Sequence, residues 1–275
     1  RSLGSLATCL DLGTVAQQIN VLTKTLIMLE QYTPGHSRNA TEFMAARSLQ
    51  THGAFISPYL QPGMKILDCG CGPGTIAAGL AEAVGSSGQV IGVDSAESQI
   101  AVARSRSMAN LGFEVASVYR LPFADNTFDL VFSHALFEHL ANPVKGIQEL
   151  LRVLRPGGIA GLCSPDWGGF ILSPANPQVD NAIGSYRALQ EKNGGDTLAG
   201  RKLASWLKEG DFLVEKLEAR YECYPDSKVI AEYLAIQLEK TGVMEPAAAL
   251  RQWALLPSSL FAQAWVSAIG LKMEE

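Results

Sequence analysis

Between Met64 and Ser164 short apolar runs alternate with stretches whose apolar side chains fall at helical spacing. Strands buried on both faces and joined by crossover helices produce that pattern. KIL, Lys65 to Leu67, enters a glycine-rich turn, and Thr75 to Val84 follows as a helix rich in Ala, Leu and Ile. A turn, SSGQ, leads into VIGVD, which closes at Asp94; Ser95 to Asn110 then reads as a helix and Phe113 to Ser117 as a short strand. Phe128 and Asp129 open a fourth strand, Asn142 to Leu154 is an amphipathic helix, RPGG at Arg155 to Gly158 is a turn, and Ile159 to Ser164 is a fifth strand. The fold class expected is α/β with a doubly wound, mostly parallel sheet.

The flanks carry a different rhythm. From Ser2 to about Glu30, Leu22, Leu26 and Leu29 at helical spacing predict a helical extension, which Pro34 and Gly35 interrupt within YTPGHS. A second helical stretch, Ala40 to Tyr59, ends at Pro62 and Gly63. Past Ser164, SPDWGGFILSPANP departs from a plain nucleotide-binding sheet and puts Asp166 and Trp167 at a strand end. Helices are expected over Pro177 to Lys192 and Arg201 to Glu209, a strand over Phe212 to Tyr221, and helices over Ser227 to Thr241 and Pro246 to Leu256 as a lid before a last strand, Phe261 to Leu271.

Composition narrows the partners. A hydrophobic fraction of 47% suffices for a sizeable core, and a formal charge of −5 with scattered Lys and Arg carries no footprint for nucleic acid. The long uncharged stretch Gln252 to Leu271 is broken by Pro257, two serines and Gln263, so it reads as packed interior rather than a membrane span. Five cysteines, an odd count without a CxxC pair, argue for neither a disulfide framework nor a zinc site, and no metal is expected. Cys69 and Cys71 read as small buried residues, and a reducing cytoplasm fits.

The glycine turn holds the chemistry. Gly70, Gly72 and Gly74 stand where a strand ends and a helix begins, so a polar group can approach the main chain and the helix's unpaired amides. A dinucleotide loop would need a third glycine at position 75, which is Thr75. The run is instead acidic-x-Gly-x-Gly-x-Gly from Asp68. Asp94, 20 residues beyond Gly74, ends the second strand, where a carboxylate can hold both hydroxyls of a ribose or simply cap a helix.

DCGCGPG, VIGVD, LPFADNTFD, FEHL and RVLRPGG occur in that order, and over roughly residues 60 to 170 the chain resembles the type 11, UbiE-like class I S-adenosylmethionine-dependent methyltransferases. The resemblance implies a Rossmann-like sheet of seven strands, a helical extension over 1–60, a methyltransferase domain over 61–275 with a lid insertion around 222–258, S-adenosylmethionine as methyl donor, and a small organic acceptor. It also implies roles. Asp68 would belong to the cofactor site, the backbone of Gly70 and Gly72 would hold the methionine part, Asp94 the ribose, Ser95 and Gln99 the nucleoside edge, and Ser117 with Val118 the adenine, although most relatives carry Asp in place of Ser117. Ser133 would lie beneath the sulfonium, and Tyr32 and His36 would form a lid over the cofactor or merely an interhelix turn.

Transfer from a sulfonium needs positioning and dryness, and a base only where the acceptor must lose a proton. His134, Glu138 and Asp166 are the candidate bases. His139 beside Glu138 more simply shapes its loop, and Trp167, Tyr221 and Tyr224 either line an aromatic pocket or belong to the core. Two other readings stay open: a nicotinamide-dependent oxidoreductase, against which Thr75 and Asp68 count, and a methyltransferase fold that binds the cofactor without transferring methyl.

Overall fold

A computed structural model describes residues 30–106 and 108–274; the helix expected from Ser2 to about Glu30 lies, but for Glu30, outside them. Seven strands form one sheet: β1 (Lys65–Cys69), β2 (Gln89–Asp94), β3 (Leu111–Val115), β4 (Phe128–His134), β5 (Leu154–Ser173), β6 (Leu213–Cys223) and β7 (Leu260–Leu271). Their order is β3-β2-β1-β4-β5-β7-β6, with β1 to β5 parallel and β7 antiparallel between β5 and β6. The order of connection reverses between β1 and β4. That switch opens a crevice at the carboxyl ends of the two strands.

The helices are α1 (Arg38–Ala45), α2 (Leu49–His52), α3 (Thr75–Val84), α4 (Glu97–Ala103), α5 (Pro143–Val153), α6 (Pro177–Lys192), α7 (Ala199–Glu209), α8 (Ser227–Glu239) and α9 (Met244–Ala254). Alternation along β1 divides the core. Ile66 packs with Leu49, Leu80 and Ile100 from α2, α3 and α4, while Leu67 and Cys69 pack with Ile147, Leu150 and Leu203 from α5 and α7. A third cluster joins α6, α8 and α9 around Trp167 and Phe261, so these helices roof one end of the sheet instead of covering a face.

Most expected elements stand within a few residues of their sequence bounds, and the differences have local causes. The stretch Ala40 to Tyr59 is not one helix: α1 stops at Ala45, Ser48 caps α2 by accepting from the Thr51 amide at 3.3 Å, and a 3₁₀ segment, Ala54–Tyr59, follows Gly53. The helix from Ser95 shortens to α4, and Asn110, beyond its end, donates to the carbonyls of Ala81 and Gly85 at 2.9 Å each. SPDWGGFILS is strand throughout: pairing of β5 with β7 breaks at Asp166 and resumes at Phe170, so Gly168 and Gly169 occupy a bulge. RPGG is absorbed in the same way where the β4–β5 register jumps from Leu154 to Ile159.

The glycine loop adopts left-handed backbone at Gly70, Gly72 and Gly74, with φ of +77°, +52° and +76°. At Gly74 a side chain is also excluded by packing, since a Cβ there would stand 2.7 Å from Phe113 Cζ. Gly74→Ala is therefore expected to destabilise the fold by about 3 kcal/mol, combining left-handed strain with overpacking, as read from the urea midpoint at unchanged m-value.

Candidate active site

The sharp glycine turn folds its own donors inward. The amides of Gly70 and Cys71 donate to the Val93 carbonyl at 2.8 and 2.9 Å, Gly74 donates to Cys71 O at 3.0 Å, and Gly72 donates to Asp94 Oδ2 at 3.0 Å. The backbone amides of Gly70 and Gly72, expected to hold a ligand's methionine part, are thus spent on β2. Asp94 Oδ1 accepts from Ala96 N at 2.9 Å, so this carboxylate braces both the loop and the start of α4 while keeping lone pairs to spare.

What the loop leaves free is charge. Asp68, only 2% exposed, has an Oδ2 without a hydrogen-bond partner among the described residues. Burial, then the neighbouring Asp94, pushes its carboxyl up to about 7 against a hydrogen bond from the Ala77 backbone. A buried acid in that condition lacks a cation. Gly70, Gly72, Met44 and His134 line the same small cavity, about 30 Å³, at the β1–β4 switch point.

Arg47 also lines it, and Arg47 lines a second cavity of about 40 Å³ as well. Its guanidinium lies 5.8 Å from the Phe43 ring centroid and 5.6 Å from that of Trp265. Rings continue on either side: Phe43 stacks on Tyr233 at 4.1 Å, and Trp265 stacks on His134 at 4.6 Å. Trp167, Tyr186 and Tyr224 complete the aromatic wall, whereas Tyr221, a candidate for it, points outward on β6 and is 53% exposed. Arg47, Gln263, Trp265 and Tyr233 were missed by sequence reasoning, and nothing in their local pattern marks them.

The three candidate bases separate. Glu138, on the 3₁₀ turn Phe137–His139, lines the aromatic cavity and accepts from Ser164 Oγ at 2.9 Å. Burial raises it to about 7, with the Ser164 hydrogen bond and Arg47 opposing. His139, whose Nε2 is 3.6 Å from Glu138 Oε1, is driven by burial and then by Arg47 down to about 3. His134 sits on the other cavity with both ring nitrogens unpartnered among the described residues, and burial followed by Arg47 and His52 holds it well below its usual value.

Asp166 does not stand free as a base. Arg201 grips it through Nε and Nη2 at 2.7 and 2.8 Å, and the amides of Gly168 and Arg201 donate at 2.9 and 3.1 Å. Burial would raise its carboxyl, but these bonds together outweigh burial and hold it below the usual range.

Among the remaining candidates, Ser133 donates to Cys69 O at 2.8 Å and so locks β4 to β1. Gln99 is buried and its Nε2 donates to Thr41 Oγ1 at 2.9 Å, which ties α1 to α4, while its Oε1 has no partner among the described residues. Ser95 and Ser117 are exposed, the latter accepting from Tyr119 N at 3.3 Å, and the Val118 side chain is core. Tyr32 stacks on His36 at 5.2 Å, meets His139 edge-on at 4.6 Å and donates to Met44 Sδ at 3.3 Å, so it reaches the aromatic cavity while His36 stays outside. Among the described residues no cluster of His, Cys, Asp or Glu has the geometry of a metal site.

A methyltransferase domain model matches residues 60–211, more than half of the chain. An uncharacterized methyltransferase of Schizosaccharomyces pombe is 31% identical over 209 residues, 72% of this chain and 74% of that protein. The chain belongs to the class I methyltransferase family.

A demethylmenaquinone methyltransferase of Staphylococcus aureus matches this methyltransferase at 36% identity over 102 residues, 36% of the chain and 42% of that enzyme. The chain spans about half the length of several curated relatives that it matches. The crystal structure of a putative methyltransferase from Bacillus halodurans superposes with a TM-score of 0.59 over 80% of this chain and 98% of that one, at 18% identity, which speaks for the fold alone.

Glu138 gives this methyltransferase a pH signature. Its folded value of about 7 exceeds its ordinary 4.5, so the folded state binds the extra proton and stability falls as pH rises through that window. Glu138→Gln keeps an oxygen for Ser164 and has nothing to ionise. Between pH 5 and pH 8 the variant is expected to gain about 2 kcal/mol relative to wild type in urea denaturation; a pH-independent difference would show that the buried carboxyl ionises without cost.

Proposed function

We propose that this methyltransferase uses S-adenosylmethionine to methylate a small organic acceptor held in the aromatic cavity. The observation that carries the reading is the orphaned Asp68 Oδ2 beside the braced Asp94 at the β1–β4 switch point. S-adenosylmethionine, when bound, supplies a methyl group on a positively charged sulfur that leaves as a neutral thioether.

Asp68 takes the ammonium of the aminoacyl tail and Arg47 its carboxylate, which answers both the buried unpartnered acid and a guanidinium whose neighbours are rings. The spare lone pairs of Asp94 take the ribose hydroxyls, while Ser95 and Ser117 with the Val118 backbone border the nucleoside. Tyr32 and the chain leading to Arg47 act as a lid. Both cavities hold only a few water-sized volumes, so a ligand enters when that segment moves.

Glu138 serves as proton acceptor for an acceptor group that must lose one, because its affinity for a proton matches neutral pH and its side chain lines the aromatic cavity. His134 and His139, held neutral by burial, shape the walls. The described cysteines are unpaired, which supports a reducing cytoplasm as the working compartment. No described helix is long and apolar enough to cross a membrane.

Calorimetric titration with S-adenosylhomocysteine tests the cofactor seat. Asp94→Ala is expected to weaken binding by about 1 to 3 kcal/mol. Asp68→Asn is expected to weaken it comparably and to flatten a pH dependence in which wild-type affinity rises through pH 7 as Asp68 gives up its proton. Folded wild-type protein that ignores the ligand at saturation sinks the reading. Glu138→Gln should lower kcat about 100-fold with unchanged cofactor affinity, and near-normal turnover would clear Glu138 of the proton.

A further inference from the structure

The β7 wall of the aromatic cavity carries two buried polar groups that the reading above leaves unused. Gln263 is 2% exposed and Trp265 4%, and both line the cavity. Standing two residues apart on one strand, they face the same side of the sheet. Their hydrogen-bonding capacity is unmet in complementary ways.

The Gln263 amide is oriented by its surroundings. Nε2 donates to the carbonyl of Asp166 at 2.9 Å and to that of Ala264 at 3.3 Å, and a carbonyl only accepts, so the nitrogen belongs there. Oε1 is left without a donor among the described residues. Trp265 has the opposite want: its Nε1–H donates only and has no acceptor among the described residues. Its ring is held between His134 and the Arg47 guanidinium and cannot readily swing to find one. Native interiors rarely leave such groups unpaired, so a bound molecule is the natural complement.

We propose that Gln263 and Trp265 select the acceptor: a flat aromatic molecule with a hydroxyl that donates to Gln263 Oε1 and a carbonyl oxygen that accepts from Trp265 Nε1–H. The proposal rests on the aromatic cavity being the acceptor site. Trp167, Tyr186 and Tyr233 supply flat apolar walls suited to a ring. Arg47 at the junction disfavours a cationic amine and so favours a neutral hydroxyarene. The Arg201–Asp166 pair, which holds no free base, thereby has a use: it pins the strand whose carbonyl orients Gln263.

The probe is 2,4-dihydroxyacetophenone, titrated into the wild-type complex with S-adenosylhomocysteine and followed by calorimetry and tryptophan fluorescence. Saturable binding is expected, with acetophenone and 2-phenylethylamine each at least tenfold weaker. Gln263→Leu and Trp265→Phe should each lose about tenfold or more for the dihydroxy ketone and retain wild-type affinity for S-adenosylhomocysteine; Gln263→Leu should bind acetophenone as wild type does, whereas Trp265→Phe, which lacks the donor to the ketone oxygen, should bind it more weakly. Absence of binding, equal affinity for 2-phenylethylamine, unchanged selectivity in Gln263→Leu, or unchanged affinity for both ketones in Trp265→Phe would overturn the proposal. The comparison among the three probes in wild-type protein stands even where a variant does not fold. Failure of S-adenosylhomocysteine itself to bind would instead remove the cofactor reading, and the dihydroxy ketone titrated alone would still report on the β7 pair.

Discussion

The hydrogen bond from the Gly72 amide to Asp94 is the tie on which the site depends. It fastens the glycine loop to the tip of β2, and the amides of Gly70 and Cys71 reinforce it on the Val93 carbonyl. A loop whose donors are spent internally is rigid and presents little of its own backbone. Asp68 just before the loop and Asp94 across from it are then the polar groups offered to the crevice. Burial leaves Asp68 poised to gain a cation, and such preorganisation lets binding energy go into holding a ligand instead of ordering the protein.

Arg47 relates the two halves of the site. It enters from the segment before β1, beside Phe43 and Met44, and lines both the cavity under the glycine loop and the aromatic cavity beyond it. Its field reaches Glu138, His134 and His139, lowering the proton affinity of each. Movement of that segment would expose the site and withdraw the cation in one step. Under the proposed reading, methyl transfer would gain from that coupling, because water would be excluded only with the charges in place.

Much of the fold was legible in the chain. Continuous apolar runs and a 3.6-residue rhythm located α3, α6 and the strands β1, β2 and β4 nearly to the residue, because burial on both faces leaves few other patterns open. The glycine loop and the acidic groups Asp68 and Asp94 beside it were readable for a related reason: left-handed backbone and a strand-end carboxylate are local requirements with local signatures. Where glycines usually signal a break, at Gly168 and Gly169, partner strand β7 lay almost a hundred residues away and turned the break into a bulge.

Side-chain availability was decided only in three dimensions. Asp166 looked like a base until Arg201 closed on it, and the amides of Gly70 and Gly72 looked free until β2 accepted them. Arg47, Gln263 and Trp265 bear no mark in sequence, since their meaning comes from elements far apart in the chain that meet at one cavity. Local conformation and burial follow from each residue and its near neighbours, so the sequence alone determined the α/β sheet and the position of the loop. Which polar atoms remain unpaired depends on distant partners, and the tertiary structure alone decided that.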